Sequence, residues 1–367
     1  MARLLCAPSP QSADMLYATG FQAPDPFLFL EHGGVKTIVL GDLEFDRGRR
    51  DARVDEILPL SELAREAGGN PSLPAIAVHL LRRFKVRRVD VPSDFPLGMA
   101  RAIERAGVKV FAIEGHFWPE RECKTAEEIR AVKHALHITK AGILRAVEVL
   151  RAAGIGRNGI LRWNGKTLTS EIVRAESDAA VLRAGGVPDG TIVAGGRQAC
   201  DPHERGHGPL RAHELIILDI FPRDARSGFF GDITRTVVRG RASDAQRCMW
   251  ETVRAAQRLA ISMIKPSVRG AEVHDAVKRF FADRGYPTGR KRGRWTGFFH
   301  GTGHGLGLDL HEEPRLAATT FRTGQVFTVE PGLYYPETGG VRHEDVVAVT
   351  RAGCERLSRV AVPLELH

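Results

Sequence analysis

The stretch His300–Glu312, HGTGHGLGLDLHE, interleaves three histidines with four glycines. Imidazole nitrogens bind divalent metals or carry a proton near neutral pH, and glycine lets backbone approach closely. The stretch therefore reads as a wall of an active site. Its spacing is not that of a G-x-G-x-x-G dinucleotide loop, and His311-Glu312 continues as Glu-Pro-Arg rather than completing an H-E-x-x-H zinc helix. Its partners must come from elsewhere, and four acids embedded in apolar runs supply candidates. Asp219 lies in LIILDIF (Leu215–Phe221), Asp232 in FFGDITRTVVR (Phe229–Arg239), Glu330 at the end of VFTVE and Glu344 in VRHEDVVAV. Burying a carboxylate in such a run costs several kcal/mol unless a cation compensates it.

If the first two runs form a hairpin centred near Ala225–Arg226, Asp219 and Asp232 fall about opposite one another, ~4.5–5.5 Å apart. Two like charges that close need a metal, or one must keep its proton. Arg342 and Glu344, two apart on one strand, would share a face. Any one of these acids could equally be a strand-end residue paired with a nearby arginine. As a set, Asp219, Asp232, His304, Glu330 and Glu344 offer hard oxygens and one imidazole, the donors that two divalent ions such as Mn, Co or Zn would share through bridging carboxylates.

These residues need elements to hold them. At 367 residues, 43% hydrophobic and 26% charged, the chain is globular and long enough for two domains. Residues 1–113 alternate strand candidates (Asp25–Leu30, Thr37–Gly41, Val86–Pro92, Val108–Ile113) with helical ones (Ile76–Phe84, Leu97–Ala106), a small α/β domain without clustered acids or histidines. A boundary near Arg121–Lys124 divides the chain into 1–122 and 123–367. Thr125 and Glu128 predict a capping box opening a helix that runs to Gly154, with Gly142 a weak point inside it. Further helices are expected over Thr169–Ala184, Cys248–Ile264 and Ala271–Arg284, and the basic GRKRGRW (Gly289–Trp295) is expected to be an exposed loop.

No run reaches the ~18–20 apolar residues of a membrane span, and MARLLCAPSPQSADM is too short in its apolar part for a secretory signal. A cytoplasmic location follows, with no membrane partner. Five scattered cysteines without a C-x-x-C pair exclude a disulfide framework and a thiolate zinc site. The net charge of +9 reads first as solvated surface and only second as a polyanion footprint, so nucleic acid is not the expected partner.

The segments LIILDIFPR, GDITRT, HGTGHGLGLDLHEEP, TVEPGLY and GVRHED resemble the metal-binding motifs of the pita-bread-fold metallopeptidases, the group of methionine aminopeptidase, aminopeptidase P and prolidase. The helices before them, the amino-terminal domain and MLYATGF resemble the two-domain Xaa-Pro branch, which includes creatinase. The resemblance implies an α/β (α+β) architecture: a small amino-terminal creatinase-like cap or scaffold domain, then a pita-bread catalytic domain with a curved antiparallel sheet. It implies Asp219 as a bidentate ligand of one metal, Asp232 and Glu344 as bridges, and His304 with Glu330 completing the second. It implies His203 as a proton-shuttling or substrate-binding histidine, preferred over His207, and His300 and His311 as histidines facing the substrate. Arg342 would support the ligand carboxylates, although a solvent-facing strand arginine is the alternative. Arg315 would read the carboxylate of a leaving proline, with an ordinary surface arginine the competing reading. Two departures stand out: Asp232 follows Asp219 by thirteen positions, longer than is common in the group, and His343 replaces an apolar residue.

The implied activity is hydrolysis of an Xaa-Pro peptide bond by metal-activated water, with Glu330 and His203 moving the proton and His311 stabilising the oxyanion. The implied substrate is a peptide with proline after the scissile bond, and the implied assembly a homodimer. A prolidase-like dipeptidase is favoured over aminopeptidase P acting on longer peptides. A creatinase-like hydrolase of a non-peptide C–N bond works without metal, and a non-catalytic peptide- or nucleic-acid-binding module would have lost ligands; the five retained here count against both. The extra amino-terminal domain disfavours methionine aminopeptidase.

Overall fold

Alternating apolar positions build a six-stranded mixed sheet in the first third of the chain. Its strands are β1 (Ala2–Ala7), β2 (Phe27–His32), β3 (Val35–Leu40), β4 (Glu56–Pro59), β5 (Arg88–Pro92) and β6 (Lys109–Ile113), in the order β4-β3-β2-β1-β5-β6. Successive side chains of a strand point to opposite faces. Leu4, Leu28, Leu30 and Val39 accordingly enter one core, and Leu5, Phe27, Phe29, Ile38 and Leu40 another. Of the helices α1 (Ala13–Thr19), α2 (Asp42–Asp51), α3 (Leu60–Glu66), α4 (Leu73–Arg83) and α5 (Leu97–Arg105), the last three fill the first core through Leu63, Ile76, Leu80 and Ile103, and α1 fills the second through Met15 and Ala18. The expected elements of this region form within a few residues of their predicted bounds. The sequence reading omits β1, β4 and α1–α3, because such short runs acquire their burial from neighbours distant in sequence.

The computed structural model describes residues 2–69 and 71–367, and the chain divides into two compact units, Met1–Arg121 and Glu122–His367. The second unit opens with α6 (Ala126–Ala152). Its capping box is present: the Thr125 hydroxyl accepts from the Glu128 N–H at 3.2 Å and the Glu128 carboxylate from the Thr125 N–H at 2.7 Å. The helix runs unbroken through Gly142. A Cβ there would lie 2.9 Å from Val181 and 3.1 Å from Ile220, so the glycine is where α6 packs tightly against its neighbours. A meander of β7 (Gly154–Ile155), β8 (Leu161–Trp163) and β9 (Lys166–Thr167) leads to α7 (Ser170–Arg183).

Strands β10 (Gly186–Val187) and β13 (Arg223–Asp224) form one short pair. Strands β11 (Ile192–Gly195), β12 (Leu215–Ile220), β14 (Ile233–Arg239) and β22 (Glu365–Leu366) form a sheet in the order β11-β12-β14-β22. Helix α8 (Asp244–Met263) begins four residues earlier than expected, because Ser243 and Gln246 make a second capping box; α9 (Gly270–Asp283) follows. The GRKRGRW segment is a hairpin of β15 (Gly289–Lys291) and β16 (Arg294–Thr296), not a loop. Its alternation is hidden in the sequence because four of its seven residues are basic and two are glycines. The remaining strands are β17 (Val326–Val329), β18 (Gly332–Tyr335), β19 (Gly339–Arg342), β20 (Asp345–Val349) and β21 (Cys354–Arg356), paired as β17-β20-β21 and β18-β19. Helices α8 and α9 bury Met249, Val253, Val273 and Phe281 against Val238, Val329, Val341 and Val347 of these sheets. No described helix is long and apolar enough to cross a membrane, and all five cysteines are free.

Candidate active site

Strand alternation aims the first acid. On β12, Ile220 lies toward Gly142 of α6, so Asp219 projects from the other face, shared with Ile217. Antiparallel pairing places Asp219 opposite Thr234 and Ile220 opposite Ile233. Asp232 therefore stands one step beyond the paired residues, on the same face as Thr234. The two acids are diagonal neighbours, not directly opposite as expected, because the turn fixes the register.

The Asp219 carboxylate accepts from the Arg342 guanidinium at 2.6 Å, and the Glu344 carboxylate accepts from the Thr234 hydroxyl at 2.7 Å. Arg342 ends β19 whereas Glu344 lies in the connection before β20. They are thus not on one strand, though both reach the same cavity. Arg342 is buried and hydrogen-bonded, which removes its solvent-facing alternative.

Glycines set the wall made by residues 300–312. A Cβ on Gly303 would collide with the Thr328 carbonyl oxygen of β17, and one on Gly305 with that of Glu312. With glycine at both, His304 and Thr328 exchange backbone and hydroxyl bonds, 3.1 Å from the His304 N–H to Thr328 Oγ and 2.9 Å from the Thr328 N–H to the His304 carbonyl. The His304 Nδ1 lies 3.0 Å from the Gly305 carbonyl. That contact makes Nδ1 the protonated nitrogen and leaves the Nε2 lone pair free. Nε2 is 3.5 Å from Glu330 and 3.8 Å from Asp232. The loop closes where the Glu312 N–H donates to Gly305 at 2.9 Å, bringing the His311 ring edge-on to His304 with centroids 4.4 Å apart.

A cavity of about 700 Å³ gathers Asp219, Asp232, His304, Glu330, Glu344, His203, His300, His311, Arg315 and Arg342, with Phe221, Phe299 and Leu310 as apolar lining. His207 is not among them; it is exposed and lies beside Glu204. Sequence reasoning missed Tyr334. Its buried hydroxyl lies 2.8 Å from His300 Nε2 and accepts from Arg342 at 3.0 Å, linking His300 through Arg342 to Asp219. The only sequence signal was a tyrosine in a buried strand, whose hydroxyl needs a partner. Lys124 was also missed; its ammonium donates to Glu312 at 3.1 Å with both side chains 2% exposed.

Electrostatically the acids call for a cation. Burial, then Glu344, Asp219 and Glu330, pushes Asp232 well above the carboxylate range. Burial, then Glu330 and Asp219, does the same to Glu344, and burial with Asp219 pushes Glu330 up to about 7 against the opposing pull of Arg342. Burial lowers His304 to about 3 and, with Arg342, His300 to about 3, so both are neutral imidazoles. One oxygen of Asp219 and one of Asp232 are buried without any hydrogen-bond partner. Ligand atoms of Asp232, His304 and Glu344 lie within 4.8 Å of one another. Orphaned carboxylate oxygens beside a free imidazole lone pair fit divalent metal.

Residues 130–351 match metallopeptidase family M24. The chain belongs to this family. Among M24 relatives, it is 30% identical over 261 residues to the Xaa-Pro dipeptidase of Pyrococcus furiosus, covering 70% of this chain and 69% of that one. It is 31% identical to Xaa-Pro aminopeptidase 1 of Streptomyces coelicolor, over 95% of this chain and 76% of that one. Its fold is that of the Xaa-Pro dipeptidase from Bacillus anthracis, with a TM-score of 0.83 at 23% identity over 99% of this chain and 94% of the other. This M24 chain is thus a metallopeptidase with the mixed α/β architecture of the prolidase and aminopeptidase P folds.

Proposed function

We propose that this metallopeptidase hydrolyses the Xaa-Pro bond of dipeptides, with Asp219, Asp232, His304, Glu330 and Glu344 holding two divalent ions, Mn, Co or Zn. The observation that carries the reading is the convergence of these five donors, with His203, His300 and His311, on one cavity of an M24 chain. Bound divalent metal supplies neutralisation of the carboxylates and Lewis acidity toward water and the scissile carbonyl. The protein groups divide the remaining work. Glu330 takes a proton from the attacking water at a carboxylate oxygen and, with His203, delivers it to the leaving proline nitrogen. His311 donates an N–H to the developing oxyanion. Arg342, fixed by Tyr334 and the Pro202 carbonyl, orients Asp219, and Tyr334 orients His300.

The dipeptide preference rests on Arg315. It lines the cavity, is exposed and forms no ion pair among the described residues, which leaves its guanidinium fork free for a proline carboxylate. Arg315→Ala should raise KM for Xaa-Pro dipeptides by one to two orders of magnitude, about 1.5–3 kcal/mol for a charge-assisted bond, and leave amidated substrates unchanged. Aminopeptidase P activity is the second reading, favoured by the relative of that kind that spans 95% of the chain. Metal analysis combined with a panel of Xaa-Pro, Xaa-Pro-Yaa and longer peptides separates the two; faster cleavage of tripeptides than of dipeptides moves the assignment to aminopeptidase P. The 1–122 region as a cap or scaffold, and a homodimer, belong to the same proposal on the strength of the motif resemblance, and so does the cytoplasmic location expected from the sequence. Light scattering on the purified protein tests the dimer.

A further inference from the structure

On β14 the side chains alternate. Thr234 and Thr236 bond Glu344 and the Arg342 carbonyl, while Arg235 between them turns away to Asp345 Oδ1 at 2.8 Å and to the Val360 carbonyl. There Arg235 lines a second cavity of about 600 Å³, together with Arg254, Arg258, Arg356 and Arg359. Among the described residues Asp345 is the only acid lining it, and its carboxylate is already occupied. It accepts from Arg235, from Ser358 at 2.7 Å and from Gln257 at 3.3 Å, and Arg356 lies 3.4 Å away. Five guanidinium groups thus face one carboxylate, and Arg254, Arg258 and Arg359 form no ion pair among the described residues. Burial, then the positive charges of Arg258, Arg235 and Arg356, holds the Arg254 guanidinium below its ordinary value. Arg254 also stacks 4.5 Å over the Trp250 ring, an arrangement that engages the guanidinium face and leaves its N–H edge available. His343, another wall residue, is 7% exposed and buries its Nδ1 without a hydrogen-bond partner.

Arg235 is buried and Arg254 half-buried, whereas Arg258, Arg356 and Arg359 reach solvent at the cavity rim; like charge gathered this way is unfavourable by itself and favourable around an anion. Planar guanidinium forks match the paired oxygens of a tetrahedral oxyanion. We infer that this cavity is a binding site for a small, multiply charged oxyanion of the phosphate or sulfate class, separate from the catalytic cavity. Free phosphate and a phosphomonoester share this chemistry. Occupancy ties α8 (Arg254, Arg258) to β21 and the segment after it (Arg356, Arg359), around the strand that follows Glu344.

The test is thermal unfolding of the metal-loaded protein in inorganic phosphate, sulfate, glycerol 2-phosphate or chloride at matched ionic strength. A ligand that binds only the folded state raises its Tm saturably. Phosphate and sulfate should each raise Tm by about 2–4 °C over chloride, and glycerol 2-phosphate should match them if the site admits an ester. The double variant Arg254→Gln/Arg258→Gln, compared with its own Tm in chloride, should lose the rise. Arg359→Gln, at an exposed position, should weaken the rise and serves as the test if the double variant does not fold. Absence of a saturable rise in wild type overturns the inference. So does a rise of equal size in the variants, which would place the anion elsewhere, including at the catalytic metals.

Discussion

At the residue scale, the candidate centre turns on how much unneutralised carboxylate a cavity wall can bury. Asp232 is 4% exposed, keeps one oxygen without a partner, and is pushed up by burial and by three neighbouring acids. Asp232→Asn keeps its size but removes the charge that would hold two ions. It should abolish detectable Xaa-Pro hydrolysis and lower the bound metal per chain, read by elemental analysis after gel filtration; full metal content in this variant would remove Asp232 from the ligand set. His311 sits differently: it opens to solvent on one side, and burial of the part of the ring turned into the cavity, then Arg315 and His203, hold it below its ordinary value. His311→Ala should retain metal and lose about 10²–10³-fold in kcat, the usual contribution of an oxyanion donor. Metal loss in that variant would instead make His311 a ligand.

At the element scale, a buried ion pair braces the histidine-rich wall. The Glu312 carboxylate accepts from the Asp309 N–H at 3.3 Å and from Lys124, so the residue just before the α6 cap braces the loop that carries His304 and His311. Gly307 permits this, since a Cβ there would collide with the Glu312 carboxylate. Lys124→Met would take the neutralising ammonium away from that buried carboxylate, which costs about 3–5 kcal/mol. Urea unfolding should register the loss, and adding Glu312→Gln to the same chain should recover much of it. No recovery would mean that Lys124 stabilises the protein through packing rather than charge.

At the scale of the whole molecule, the acids make stability depend on pH and metal together. In the metal-free protein the folded-state value of Glu330 is raised from 4.5 to about 7, so its stabilising contribution is full below about 4.5 and is lost as pH rises through about 7. Asp232 and Glu344 shift in the same direction. Depressed carboxyls such as Asp224, lowered by its Ser227, Arg226 and His134 contacts against its burial, act in the opposite sense, so the signal is a difference between proteins. The stability of metal-free wild type relative to metal-free Glu330→Gln, read from Tm, should fall as pH rises from about 4.5 to about 7, with a slope of at most about 1.4 kcal/mol for each pH step of one. A difference that is flat across this window would mean that Glu330 titrates normally. Metal uptake near pH 7 should release protons, seen as a buffer-dependent heat of binding.

What the sequence determined by itself was whatever physics acts locally. Thr125 with Glu128 predicts its capping box because the two bonds span three residues. Acids inside apolar runs, such as Asp219 in LIILDIF, announce that charge will be buried whatever the fold, and glycines alternating with histidines announce close backbone approach. From these, with the motif resemblance, came the mixed α/β architecture and the set of residues that line the cavity; their individual roles rest on the proposed function. What the tertiary structure alone decided depends on contacts across long separations. The register that makes Asp219 and Asp232 diagonal neighbours follows from how the turn closes. Tyr334 became part of the site because its hydroxyl meets His300 of the segment after β16 and Arg342 of β19. Lys124 meets Glu312 across 188 positions, and the arginine-lined cavity collects side chains from β14, α8 and the segment after β21. No periodicity along the chain encodes such meetings, because each is fixed by which buried faces pack together and not by the residues flanking either partner.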